Sequence, residues 1–192
     1  MRLGWLVVGL AVLVAGSSAS AAPIQWTIAE GGNGHFYEGT LTSGTSWDSA
    51  RSASIGRGPG WDLASITSQA EQDFITALLP ASPSNRDHLW LGGQVVEGEG
   101  VFTWSNGDAF SYTNWWPGEP TSPFTIEDHV SMDFRVAGSI APFTGWAWNN
   151  TDGTSHIYNR GYVSEQSLPV PEPTTGLLLG LGLLGVAVRR RV

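Results

Sequence analysis

Asp62-Leu63-Ala64-Ser65-Ile66-Thr67-Ser68-Gln69-Ala70-Glu71 is the stretch on which the fold turns. Its first half is short and apolar and reads as a strand over residues 63–66. Its second half is a helix start: Ser68 and Glu71 have capping-box spacing, in which a serine hydroxyl and a glutamate three residues later satisfy free N–H groups at the helix entry. Phe74, Ile75, Leu78 and Leu79 then form an apolar stripe, and Pro80 stops the helix. Upstream, Trp47, Ala50, Arg51 and Ser54 recur at spacings of three, four and seven and predict a short helix over residues 46–54. Further strands are expected at 25–29, 89–92, 101–104, 128–134 and 161–165, with Asn106-Gly107 as a turn. Residues 112–126 and 137–159 are rich in Gly, Pro, Asn and Thr and read as long loops, which in a compact domain usually carry function. Two helices among short strands make an α+β domain.

Both ends of the chain read as addresses. Arg2 is followed by an apolar stretch over residues 3–14 and by Ala19-Ser20-Ala21, a small-x-small cleavage pattern, so residues 1–21 are expected to be a signal peptide and the mature chain to begin at Ala22. At the other end Pro171-Glu172-Pro173 precedes an apolar run of thirteen residues, 176–188, and then Arg189, Arg190 and Arg191. Thirteen residues fall short of the roughly 18 to 20 that cross a bilayer comfortably. Gly180, Gly182 and Gly185 also weaken the run as a water-soluble helix. Residues 22–168 remain as one domain.

Between those ends sixteen acidic residues face five arginines and no lysine. Such a surface repels phosphate backbones, which excludes nucleic acid as a partner and favours cations. With no cysteine in the chain, stability has to come from packing or from bound metal. Nine of the ten tryptophans lie in the domain, as expected of a domain that is stabilised by aromatic burial instead of cross-links. Two of them near a binding edge could instead stack on sugar rings; Trp115 and Trp116 would point in opposite directions if that segment is extended.

Taken in order, these landmarks resemble a C-type lectin-like domain. Trp47-x-x-Ala50 matches that family's first helix, and the opening stretch matches its entry to the second. Leu89-Trp90-Leu91-Gly92-Gly93 is similar to its buried core strand, and Phe102-Thr103-Trp104-Ser105-Asn106-Gly107 to the partner strand. Asn114-Trp115-Trp116-Pro117-Gly118-Glu119-Pro120 and Glu127-Asp128-His129-Val130-Ser131-Met132 resemble the two segments that flank its long loops. The resemblance implies two helices packed on small antiparallel sheets. It also shows a departure, because Ser54, His129 and Ser164 stand where the family has half-cystines; His129 is expected to be buried and hydrogen-bonded. The C-terminal pattern resembles the PEP-CTERM sorting signal of Gram-negative bacteria, cut by an exosortase-type membrane enzyme after a transient contact with the inner membrane.

What the resemblance implies for function is calcium-assisted carbohydrate binding at the long loops. Glu119, Glu127 and Asn149 match the family's ion ligands, and Pro120 matches the proline that follows a cis bond there. Thr121 replaces an asparagine and Asn150 replaces an aspartate, one formal charge fewer. Asp152, and Asp128 beside Glu127, are the further acids that could complete the metal set, while Thr121, Asn150 and Trp116 complete the expected ligand surface. Calcium prefers six to eight hard oxygens, which these loops could supply.

Other chemistry is poorly supported. His35, His88, His129 and His156 lack paired zinc-ligand spacing. Glu97 and Glu99 flank Gly98 in a turn, and no acid pair for glycoside hydrolysis can be assigned from sequence. No nucleophile elbow, phosphate loop or dinucleotide fingerprint is present. The chain therefore reads as a non-enzymatic, exported carbohydrate-binding module with calcium as its implied cofactor, sorted to the envelope or extracellular polysaccharide matrix. A calcium-independent structural or protein-interaction protein on the same scaffold is the alternative.

Overall fold

The computed structural model describes residues 19–20, 22–79, 83–96, 100–121, 127–138, 141–154 and 158–167. Most of the expected signal peptide, Pro80, Glu97, Glu99, His156 and the sorting tail, with Pro171, Glu172, Pro173 and the three terminal arginines, lie outside them.

The strands are β1 (Ala19–Ser20), β2 (Ile24–Gln25), β3 (Phe36–Leu41), β4 (Trp61–Leu63), β5 (His88–Val95), β6 (Phe102–Trp104), β7 (His129–Arg135), β8 (Gly145–Thr151) and β9 (Asn159–Gln166). Two helices, α1 (Trp47–Ile55) and α2 (Gln69–Leu78), complete the α+β fold. The strands join in one connected sheet ordered β1-β3-β9-β5-β7-β8, with β2 on β3, β4 on β9 and β6 on β5. Among the described residues every pairing between these strands is antiparallel except β5 with β9. The long β3–β9 ladder, from Phe36 opposite Gln166 to Leu41 opposite Gly161, brings the two ends of the domain together. Gly161 has φ 142°, and a Cβ there would lie 1.8 Å from the Thr40 carbonyl oxygen, so the ladder requires glycine at that position. β1 pairs with the edge of β3 and would leave with a leader cut after Ala21.

Both helices start as their sequences dictate. Ser46 accepts a hydrogen bond from Ser49 N at 3.3 Å, and Ser68 accepts one from Glu71 N at 3.2 Å. Only half of the Ser68–Glu71 capping box forms, because the Glu71 carboxylate turns to Thr67, accepting from its N–H at 2.7 Å and its hydroxyl at 2.8 Å. There it joins a buried acid cluster. Glu71 also accepts from the Tyr37 hydroxyl and from Asn33, while Glu165 accepts from Ser65 N at 3.0 Å and pairs with His35 at 2.6 Å. Burial holds the Glu71 carboxyl above the usual carboxylate range, and the hydrogen bond to Glu165 raises His35. The cluster ties the N-terminal segment to α2 and β9.

Tryptophan supplies much of the core. Trp47, Trp90, Trp104 and Trp148 are almost fully buried, and Trp148 meets Trp104, Phe110, Tyr112 and Trp115 edge-on. The indole N–H groups of three of them bond inside: Trp47 to Leu91 O at 2.7 Å, Trp90 to Thr45 O at 2.9 Å and Trp148 to Gln72 Oε1 at 2.8 Å. Two of the positions at which the resembled family has half-cystines share a hydrogen bond, with the fully buried Ser54 and Ser164 placing their Oγ atoms 2.7 Å apart. His129, expected to be buried, is only half-buried; it lies 4.5 Å from the Trp47 ring and shares a 2.6 Å bond with Asp128.

The fold departs from the expected elements in four places, the first being the strand expected at 63–66, which runs instead over Trp61–Leu63. The strand expected at 25–29 stops at Gln25, because Thr27 and Glu30 form a capping box around a 3-10 turn, Ile28–Glu30. β3 was not expected at all. Most important for the site, β8 lies inside the stretch expected to be loop. Its Gly145-Trp146-Ala147-Trp148-Asn149-Asn150-Thr151 sequence mixes strand-favouring tryptophans with Gly, Ala and Asn, which have low strand propensity, and an unbroken seven-residue register with β7 holds it extended.

Candidate functional site

The β7–β8 ladder builds the floor of the site. Opposite residues of an antiparallel pair share a face, so Ser131, Asp133 and Arg135 lie beside Asn149, Ala147 and Gly145 respectively. Ala147 and Gly145 are small, which leaves space above the charged pair. The chain from Trp115 to Glu119 fills part of it: Trp115 bridges to Trp148, Trp116 packs with Ala141 and Ala147, and the Glu119-Pro120 peptide bond is cis, as the resemblance implied. What remains is an open cavity of about 520 Å³, lined by Arg86, His88, Pro117, Gly118, Glu119, Glu127, Asp133, Arg135, Asn149, Asn150, Thr151 and Tyr158.

Of the sequence-predicted residues, Glu119, Glu127, Asn149 and Asn150 meet at this cavity. Thr121 stands beside it and ties the loop together. Its hydroxyl donates to Glu127 Oε2 at 2.8 Å, and its N–H donates to Glu119 Oε2 at 3.1 Å and Asn150 Oδ1 at 2.9 Å. Asn150 is 1% exposed, and its amide nitrogen donates to Thr121 O at 2.5 Å and Glu127 O at 3.0 Å. It acts as a brace between loop and strand.

Three predicted residues are placed elsewhere. Trp116 is 1% exposed, donates to Asp133 O at 3.2 Å and stacks on Phe143, so its ring offers no face to a sugar. Asp128 points to His129, and Asp152 accepts from Thr154 N at 3.1 Å and Thr154 Oγ1 at 2.8 Å; neither lines the cavity.

The structure adds residues that the motif reading passed over. Arg135 is held from several sides: Nη2 donates to Glu119 Oε1 and to Asp133 Oδ2, each at 3.3 Å, and the guanidinium lies 5.2 Å from the Trp116 ring centre. Asp133 also accepts from the Ser131 hydroxyl at 2.9 Å and lies 3.3 Å from His88 Nε2. Burial pushes its carboxyl up to about 7, against the opposing pull of Ser131 and Arg135. At the rim Arg86 has φ 72° and its guanidinium lies 5.8 Å from the Tyr158 ring centre. The alternation Val130-Ser131-Met132-Asp133-Phe134-Arg135, polar at every second place, was the available signal for these residues.

Among the described residues, most of these oxygens are turned to protein partners and are not gathered around one point as a calcium cage would be. The side-chain oxygen of Asn150 faces Thr121 N–H, both oxygens of Glu119 have protein donors, and Asp128 and Asp152 lie apart. Among the described residues, no three His, Asp or Glu side chains gather as a cation site. The arrangement instead offers a polar, open cavity with carboxylate, amide and guanidinium groups, suited to a ligand rich in hydroxyls.

Residues 43–158 match the family model of the Lectin C-type domain, and the chain belongs to that family. Residues 169–191 match the PEP-CTERM protein-sorting motif, which points to an exported protein. Among curated relatives, the galactose-specific lectin nattectin of Thalassophryne nattereri is 30% identical over 142 residues, covering 74% of this chain and 80% of its own. Two solved structures agree with the fold. The carbohydrate-recognition domain of cow CD23, determined in the presence of a GlcNAc2Man3 oligosaccharide, is 27% identical with a TM-score of 0.53, covering 70% of this chain and 89% of that one. The C-type lectin CEL-I of Cucumaria echinata is 25% identical with a TM-score of 0.54, covering 70% and 91%.

Proposed function

We propose that the protein is an exported, non-enzymatic carbohydrate-binding module that holds glycan in the cavity between the Glu119 loop and β8. One observation carries this reading: in a C-type lectin domain, Glu119, Glu127 and Asn149, from three separate segments, line a single open polar cavity. Sugar hydroxyls both donate and accept, so carboxylates and an amide around one opening suit them. In this reading the tail is processed by an exosortase-type enzyme after brief contact with the inner membrane. The protein then resides in the envelope or the extracellular polysaccharide matrix.

The test is retention of the exported protein on a glycan array, compared with Glu127→Gln and Asn149→Ala variants checked for folding by circular dichroism. Wild type should bind a restricted set of glycans and both variants should lose them. Undiminished binding by the folded variants would move the site elsewhere. Failure of wild type on every glycan would favour protein interaction on the same scaffold.

A further inference from the structure

We propose that Arg135 is the resident cation of this cavity, so that ligand binding there is indifferent to calcium. The inference rests on the reading of the cavity as the glycan site, and it names the group that organises it.

The Arg135 side chain is 10% exposed, and it reaches Glu119 and Asp133, which are 15% and 2% exposed. Carboxylates so withdrawn from water require a partner, and a guanidinium with several fixed donors can serve two at once. The position follows from the sheet. Arg135 stands opposite Gly145 and Asp133 opposite Ala147, so no cross-strand side chain fills the space that the guanidinium needs. Trp116 supplies an aromatic face on one side.

Arg135 neutralises Glu119, the residue that the family resemblance assigns to the ion. It also fixes the direction of that carboxylate, while Thr121 and Asn150 close the loop by hydrogen bonds of 2.8 to 3.1 Å to Glu119, Glu127 and each other. Charge compensation at Glu119 and loop shape, two tasks that a coordinated ion would perform, are thus carried by protein groups. A divalent ion approaching Glu119 would meet a fixed positive charge already bonded to it. Among the described residues the two carboxylates engage Nη2 of Arg135 alone, which leaves Nε and Nη1 as the donors that ligand oxygens would meet.

The decisive experiment follows the thermal midpoint of the exported protein in EDTA and across calcium or magnesium, for wild type, Arg135→Gln, Arg135→Lys and Glu119→Gln. Wild type, R135K and E119Q should show no calcium-specific change. R135Q, with its carboxylates uncompensated, should gain a saturable calcium-specific rise of about 3 to 5 °C at calcium tenfold above Kd. A saturable rise in wild type that Glu119→Gln abolishes would overturn the proposal, as would a folded R135Q with no response. If R135Q does not fold, the wild-type and E119Q profiles decide: both flat supports the proposal, and a wild-type response lost in E119Q refutes it. Glycan retention is scored separately, with wild type expected to bind equally in EDTA and calcium. Loss of all glycan binding would sink the lectin reading while the calcium profiles still judge Arg135.

Discussion

Replacing Ser54 and Ser164 together by cysteine should introduce a cross-link for which the fold is already shaped. The two Oγ atoms are 2.7 Å apart, both side chains are fully buried, and 110 residues separate them along the chain. Closing a loop of that length restricts the unfolded chain by about 4.8 kcal/mol in the chain-entropy model. Against this stands the loss of one serine–serine hydrogen bond, about 1 kcal/mol. Engineered bridges usually deliver less than the model value, so a net gain of about 2 to 4 kcal/mol is expected. For a domain of this size that corresponds to a rise of about 5 to 15 °C in Tm. The assay is calorimetry with and without dithiothreitol, paired with thiol titration: the oxidised double variant should melt above wild type, and reduction should remove the gain. Thiols that stay free under oxidising conditions would show that the two side chains do not face one another. A complete bridge with no reduction-sensitive gain would refute the energetic reasoning.

Trp47→Ala should cost about 3 to 5 kcal/mol in denaturant unfolding, since it empties a buried ring site and strands the Leu91 carbonyl; a loss under about 1 kcal/mol would contradict its core role. Stability should fall as pH rises from 5 to 8. His35 has its folded value raised by Glu165, so its contribution is complete below its unfolded value of about 6.5 and is lost as pH climbs through the folded one. Asp133, raised by burial to about 7, keeps in the folded state a proton that the unfolded chain sheds near pH 4, and acts in the same direction. Urea unfolding at the two pH values checks the sign, and His35→Gln should flatten the slope; a gain in stability toward pH 8 would be the wrong sign. Replacing Pro171-Glu172-Pro173 by alanines should leave an unprocessed chain in the membrane fraction, seen as a higher mass; normal processing would remove the tail from its proposed role.

The residues that could be read from sequence were those whose meaning is local. Ser68 caps α2 because the N–H it satisfies is three residues away, and a tryptophan in an apolar run such as Leu89-Trp90-Leu91 needs only its neighbours to be read as core. The ordered motifs likewise grouped Glu119, Glu127 and Asn149, and the three line one cavity. β8 was missed because its composition is that of a loop and its strand state comes from β7. Trp116 was misassigned because sequence shows an aromatic beside a loop but not the Ala141 and Ala147 pocket that buries it.

Legible in the chain alone were the helices, the tryptophan core, the acidic and cysteine-free character of the domain and the address at its C-terminus. Which side chains meet at the cavity depended on how the strands lie against one another. Arg135 meets Glu119 across 16 residues, and Asn150 meets Thr121 across 29. Those meetings follow from strand register and from the room left by Gly145 and Ala147. The charge of a side chain is written in the sequence, but the partner that compensates it is set by which strand lies opposite.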